Sequence, residues 1–146
     1  MKIGVASDHA GFALKKDVVN YLKMNGIDVI DFGADSIEAS DYADYGHELA
    51  QNVIKKNVDF GIAICGSGNG INMTVNKYPE IRSALCWEEE IAQVARQHND
   101  ANICALPGRF ISVTKARKII DTFLESLYEG GRHVSRIKKI TSGLKP

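Results

Sequence analysis

The stretch Ile62-Ala63-Ile64-Cys65-Gly66-Ser67-Gly68-Asn69-Gly70 constrains the fold more than any other. A short apolar run of strand length ends in a cysteine, and glycine then recurs at every second position. Such a run reads as a buried strand. Alternating glycines let the backbone approach a ligand closely and turn its N–H groups toward it. The following Ile71-Asn72-Met73-Thr74-Val75 can begin a helix, whose amino end favours anions. A thiol in such surroundings has its thiolate stabilised. Strand, cysteine and anion-binding loop in one stretch suggest an enzyme that stabilises a developing oxyanion.

The rest of the chain alternates between the same two patterns. Strands are expected at Ile3–Ala6, Val29–Phe32, Phe60–Ile64, Ser83–Cys86 and Ile103–Leu106. Helices are expected at Gly11–Asn25, Asp44–Lys56, Glu88–Gln97 and Thr114–Tyr128, with a basic C-terminal helix from about residue 132. Inward faces follow from helical spacing: Leu14, Val18, Tyr21 and Leu22 in the first, Leu49, Ala50, Val53 and Ile54 in the second. In the long helix they are Ala116, Ile119, Ile120, Phe123 and Leu127. Gly26 and Gly130-Gly131 mark helix ends, and Pro107-Gly108 stops the fifth strand. Repeated βα units imply a parallel sheet with helices on both faces, a Rossmann-like three-layer α/β/α sandwich. At 146 residues the chain fits one domain, and no internal repeat or linker interrupts it. Gly33-Ala34-Asp35-Ser36 reads as an ordinary loop.

Composition narrows the function. The formal net charge is zero, which argues against a nucleic-acid or membrane-surface partner. The longest apolar runs are too short to span a bilayer. Met1-Lys2-Ile3-Gly4-Val5 runs straight into a strand and offers no signal peptide. Three cysteines without a CxxC spacing read as reduced thiols in a cytoplasmic protein. No histidine or cysteine spacing suggests a metal.

In an open parallel sheet, ligands bind at the carboxyl ends of strands. Ser7-Asp8-His9, Cys65-Gly66-Ser67 and Arg109 fall at such ends. The glycine loop lacks the dinucleotide fingerprint, because Ile71 stands where glycine or alanine is needed, and there is no GxxxxGK[ST]. Cys86 and Cys104, flanked by apolar residues, read as small buried hydrophobes. Cys65, beside the glycines, reads as functional. Asp8 suits both a helix cap and a catalytic carboxylate. His98 near a helix end could complement the helix dipole or act in chemistry. His47 reads as a solvated surface residue. Arg132 and Arg136 are one helical turn apart; they fit either a solvated basic face or a phosphate clamp.

Ser7-Asp8-His9-Ala10-Gly11-Phe12, Asp41-Tyr42, Cys65 to Gly70, Arg96-Gln97-His98-Asn99-Asp100 and Tyr128-Glu129-Gly130-Gly131-Arg132-His133 together resemble the type B ribose-5-phosphate isomerases and the related allose- and galactose-6-phosphate isomerases. The resemblance spans nearly the whole chain. It implies a parallel sheet of about five strands and homodimers, or dimers of dimers, with shared active sites. The C-terminal helix would then pack on a partner subunit. The implied reaction interconverts D-ribose 5-phosphate and D-ribulose 5-phosphate through a cis-enediolate, with no cofactor and no metal. By resemblance Cys65 is the base that moves the C2 proton, and Ser67 with the loop N–H groups holds the enediolate oxygen. Relatives with a glutamate base carry it further along this loop, where this chain has Asn72, Met73 and Thr74. His98 matches the ring-opening acid/base, with Asp8 assisting. Tyr42 and Asn99 would contact sugar hydroxyls, and Gly66, Gly68, Asn69 and Gly70 would line the substrate. His9, Arg132 and Arg136 match phosphate-binding positions, and Arg109 is a further candidate. A six-carbon phosphosugar isomerase, a non-catalytic phosphosugar sensor and a flavodoxin-like carrier are the competing readings. A sensor would need the arginines but not Cys65 together with His98.

Overall fold

A computed structural model describes residues 1–144. Five strands, β1 (Lys2–Ser7), β2 (Asp28–Asp31), β3 (Phe60–Cys65), β4 (Ser83–Leu85) and β5 (Ile103–Pro107), form one sheet in the order β2-β1-β3-β5-β4. Every pairing is parallel. Six helices accompany them: α1 (Phe12–Met24), α2 (Tyr42–Ile54), α3 (Asn69–Val75), α4 (Glu89–Asn99), α5 (Val113–Glu125) and α6 (Arg132–Ser142). The expected three-layer α/β/α architecture is the observed one.

Right-handed crossovers decide the layers. The connections β1 to β2 and β4 to β5 move one way along the sheet, so α1 and α4 share a face, which α5 joins. The connections β2 to β3 and β3 to β4 move the other way and put α2 and α3 on the opposite face. The core divides accordingly. Ile3, Val5, Ile62, Ile64, Cys104 and Leu106 meet α1, α4 and α5. Ala6, Ala63, Cys65, Ile103 and Ala105 meet α2 and α3. Alternation along β3 thus turns Ile64 to one face and Cys65 to the other. The strand order reverses between β1 and β3, whose carboxyl ends are level, with Ser7 opposite Ile64. That is the place where ligands enter such sheets.

Two sequence expectations are corrected. The long helix α5 ends at Glu125, not Tyr128, and Leu127, expected inward, is 80% exposed. Ser126 adopts extended backbone, and its hydroxyl donates to the Thr122 carbonyl at 2.7 Å, closing the helix. The loop after β2 is also more than a connection. Gly33 and Ala34 continue the pairing with β1: Ser7 N–H donates to the Gly33 carbonyl and Ala34 N–H to the Ser7 carbonyl, each at 2.7 Å. Asp31 anchors this segment, accepting from Gly33 N–H at 2.9 Å and from the buried Lys15 Nζ at 2.5 Å. Of the expected inward faces, Leu14, Val18, Leu22, Leu49, Ala50, Val53, Ala116, Ile119, Ile120 and Phe123 are buried. His47, expected to be solvated, is exposed but pairs its Nδ1 with the Tyr78 hydroxyl at 2.9 Å.

Candidate active site

At the carboxyl edge the ends of β1, β3 and β5 are bound to one another. Asp8 N–H donates to the Ile64 carbonyl at 3.3 Å, Gly108 N–H to the Cys65 carbonyl at 2.9 Å, and Arg109 N–H to the Gly66 carbonyl at 2.9 Å. Glycine is required where these segments touch. A Cβ on Gly11 would lie 2.7 Å from the Ile64 carbonyl oxygen. Gly68 has φ +75°, and a Cβ there would lie 2.4 Å from Leu85 Cδ1. The loop that follows Cys65 therefore folds tightly against β4 and β5. Among the described residues, the N–H groups of Gly66, Ser67 and Gly68 have no acceptor, which leaves three donors for a ligand.

Most of the expected site residues gather around this loop. Cys65 is buried and faces the α2–α3 layer. Asp8 is buried as well; one carboxylate oxygen accepts from Gly11 N–H at 3.0 Å, so it caps the turn into α1. His9 is held on its Nδ1 edge by Ser40, whose N–H lies at 3.2 Å, while His9 N–H donates to Ser40 Oγ at 3.1 Å. Its Nε2 edge remains for a ligand. Tyr42 opens α2, and its ring lies directly on Gly70, where a Cβ would sit 2.5 Å from Cζ. Ser67 Oγ accepts from the Asn69 backbone N–H and side-chain amide, both at 3.3 Å. Arg109 folds back over Gly66, with Nη1 3.5 Å from a Cβ placed there. The sequence ranked Arg109 below the other arginines, yet it is the arginine that the structure sets against the glycine loop.

His98, Asn99, Arg132 and Arg136 are elsewhere. Helix α4 runs antiparallel to the strands, so its carboxyl end lies at the amino edge of the sheet, where β5 begins. The six residues of β3 alone separate the two edges by roughly 15 Å or more. Asp100, in the left-handed conformation with φ 46°, ends α4 and is gripped by two arginines. Arg82 Nη2 and Arg96 Nη1 reach its carboxylate at 2.9 and 2.8 Å. Arg82 Nε also donates to the carbonyls of Asn99 and Asp100, both at 3.0 Å. The Arg96 guanidinium lies over Phe60, at the start of β3, 4.7 Å from the ring centre.

A second cluster is built on that end. Glu129 N–H donates to the Gln97 carbonyl at 3.0 Å, which carries the segment after α5 across α4. His133 in α6 then stacks on His98, with ring centres 4.4 Å apart and planes 11° from parallel. The Glu129 carboxylate lies 3.7 Å from His133 Nε2 and 4.0 Å from His98 Nε2. Burial, and then the neighbouring His98, Arg132 and Arg136, push the His133 proton affinity below the usual histidine range; Glu129 opposes them. Three possible ligand atoms within 4.8 Å of one another raise the question of a metal ion. Nearly parallel rings direct their lone pairs side by side rather than to one point, so the arrangement favours stacking over chelation.

Sequence reasoning named Arg96, Asp100, Glu129 and His133 only within longer motifs and gave them no role, and it missed Ser40 and Arg82. The remaining cysteines behave as expected. Cys86 and Cys104 are fully buried neighbours, and the hydrogen bond between their sulfurs together with burial raises the Cys104 thiol well above its ordinary range.

Comparison with known proteins agrees with this fold. The chain is 43% identical over 141 residues to ribose-5-phosphate isomerase B of Escherichia coli, covering 97% of this chain and 95% of the relative. A ribose 5-phosphate isomerase structure from Thermotoga maritima superposes with a TM-score of 0.94 at 49% identity, covering 95% of this chain and 96% of that one. A Mycoplasma genitalium ribose-5-phosphate isomerase B with bound ribulose-5-phosphate superposes with a TM-score of 0.91 at 42% identity, covering 95% of this chain and 93% of that one. The ribose/galactose isomerase profile matches residues 3–140, from the first strand through the helix that carries His133, and the chain belongs to that family.

Proposed function

We infer that the protein interconverts D-ribose 5-phosphate and D-ribulose 5-phosphate, and that each active site is completed by a second copy of the chain. The observation that carries the reading is the division of the candidate residues between opposite edges of the sheet. Base, oxyanion donors and one arginine lie at the carboxyl edge. A histidine, an asparagine and two arginines lie at the amino edge. Relatives named for this activity across nearly the full chain, one of them with the ketose product bound, support the substrate. A homodimer would bring the carboxyl edge of one protomer against α4 and α6 of its partner. Exposed Val134 and Ile140 give α6 an apolar stripe for that contact. Catalysis would be part of pentose phosphate metabolism in the cytoplasm.

The chemistry then runs in two stages. His98 of the partner accepts the proton of the anomeric hydroxyl; the bond from C1 to the ring oxygen breaks, and the ring oxygen takes a proton back. The open-chain aldehyde lies with C1 and C2 over Cys65. The thiolate removes the C2 proton, the electron pair forms the C1–C2 double bond, and the carbonyl oxygen becomes an enediolate oxygen. Free N–H groups of Gly66, Ser67 and Gly68, with the Ser67 hydroxyl, stabilise that charge. Cys65 returns the proton to C1 while the C2 hydroxyl passes its own proton to the C1 oxygen, which gives the ketose. Tyr42 and Asn99 orient hydroxyls, and His9, Arg109, Arg132 and Arg136 hold the phosphate.

The test is complementation. Cys65→Ala and His98→Asn should each lose about a hundred- to ten-thousandfold in ribose 5-phosphate turnover. Co-expressed at equal levels, about half the dimers are mixed, and one of the two sites in each is intact, so about a quarter of wild-type activity should return. Mixed dimers that form but stay inactive would refute the shared site. A Cys65→Ala enzyme with near-normal turnover would remove the thiol from the mechanism.

A further inference from the structure

We propose that His133 is a positioning residue for ring opening: a buried imidazole that stacks on His98 and, with Glu129, holds it ready to carry a proton. The proposal rests on the reading of His98 given above.

The His133 side chain is only 7% exposed, and its Nε2 lacks a hydrogen-bond partner among the described residues. A buried polar atom left unpaired is costly, so its persistence calls for an explanation. The ring is a platform: it lies 4.4 Å from His98 and 11° from parallel, which fixes the plane in which the His98 nitrogens present themselves. Two stacked imidazolium rings would repel, and burial disfavours a charge on His133. The groups facing His133 are His98 from α4, Glu129 from the preceding segment, and Arg132 and Arg136 from its own helix; all but Glu129 disfavour a charge there. His98 is the more exposed of the two, 37% against 7%, so it is the ring that a substrate can reach. Glu129 Oε2 lies 4.0 Å from His98 Nε2 and stabilises the imidazolium that exists between proton uptake and release. The carboxylate is held in place by the backbone bond from Glu129 to Gln97, next to His98 itself.

Ring opening and C2 proton transfer can be read separately. Turnover of ribose 5-phosphate needs both, whereas exchange of the C1 proton of open-chain ribulose 5-phosphate with solvent needs Cys65 and the loop donors but no ring opening. His133→Ala should lower the first about ten- to a hundredfold through a misplaced His98 and leave the second within about twofold. His133→Phe restores a flat ring with no nitrogen and should recover most of the lost turnover. Glu129→Gln should lower turnover more than C1 exchange, because it removes the carboxylate charge that faces both rings. Inhibition by inorganic phosphate should stay unchanged in all three, which separates the effect from displaced arginines. If the cavity in His133→Ala unfolds the protein, His133→Asn takes its place. Loss of C1 exchange equal to the loss of turnover, or a Phe variant as impaired as the Ala variant, would overturn the proposal. Unchanged turnover in His133→Ala with His98→Asn impaired would overturn it alone; unimpaired His98→Asn would overturn the His98 reading with it.

Discussion

Two glycines of the loop after Cys65 should respond unequally to the same methyl group. Gly68 has φ +75°, and its Cβ would lie 2.4 Å from Leu85 Cδ1 and 3.0 Å from the Leu106 carbonyl carbon and oxygen. The Leu106 atoms are backbone of β5 and cannot turn away. An L-residue in the left-handed region costs about 1–2 kcal/mol, and overpacking adds about 1–3 kcal/mol. Gly68→Ala should therefore lose roughly 2–5 kcal/mol, the sum of those two penalties. At about 2–4 °C per kcal/mol for a chain of this length, the melting temperature should fall by roughly 5–15 °C. At Gly66 the nearest atoms are Ala10 Cβ and Arg109 Cδ, both at 3.4 Å, an ordinary contact, and φ is not positive. Gly66→Ala should cost less than about 1 kcal/mol. Its methyl group would lie against the Arg109 guanidinium, so turnover should suffer more than stability. Urea unfolding of both variants at one fixed protein concentration compares the two, since an oligomer's midpoint depends on concentration. Equal losses in the two variants would refute the argument, because it rests on the backbone conformation and carbonyl contact that only Gly68 has.

Two further outcomes follow from the amino-edge cluster. His133 holds its proton less tightly in the folded state than the ordinary value of 6.5, so its neutral ring stabilises the fold above that pH, and the contribution is lost as pH falls from about 6.5 toward the depressed value. The urea midpoint should drop more between pH 7.5 and pH 5 in wild type than in His133→Phe, and parallel curves would show that the ring does not titrate with unfolding. Arg136→Ala should raise the KM for ribose 5-phosphate strongly and weaken competition by inorganic phosphate, since Arg132 and Arg136 lie one helical turn apart and can converge on one dianion; unchanged values for both would make the segment a solvated basic face.

The layers and the carboxyl-edge half of the site were legible in the sequence because they depend on local pattern. Alternating apolar runs placed the strands, and chain direction placed Asp8, Cys65 and Arg109 at strand ends. What escaped depends on where a segment goes after its pattern stops. Leu127 keeps the spacing of Phe123 and Ile120, but Ser126 ends α5 first, and the chain crosses α4 instead. That crossing creates the Glu129–His98–His133 cluster, which no spacing in the sequence could reveal. The division of the candidate site is different: the resemblance implied shared sites, but the topology that divides the residues went unread. In a parallel sheet every strand ends at one edge and every crossover helix ends at the other. A residue at the end of a strand and a residue at the end of a crossover helix therefore lie at opposite edges of one protomer, whatever their side chains. Cys65 is of the first kind and His98 of the second. If the two serve one substrate, the topology leaves only one arrangement, in which the helix end of a neighbouring copy reaches the strand ends of this one.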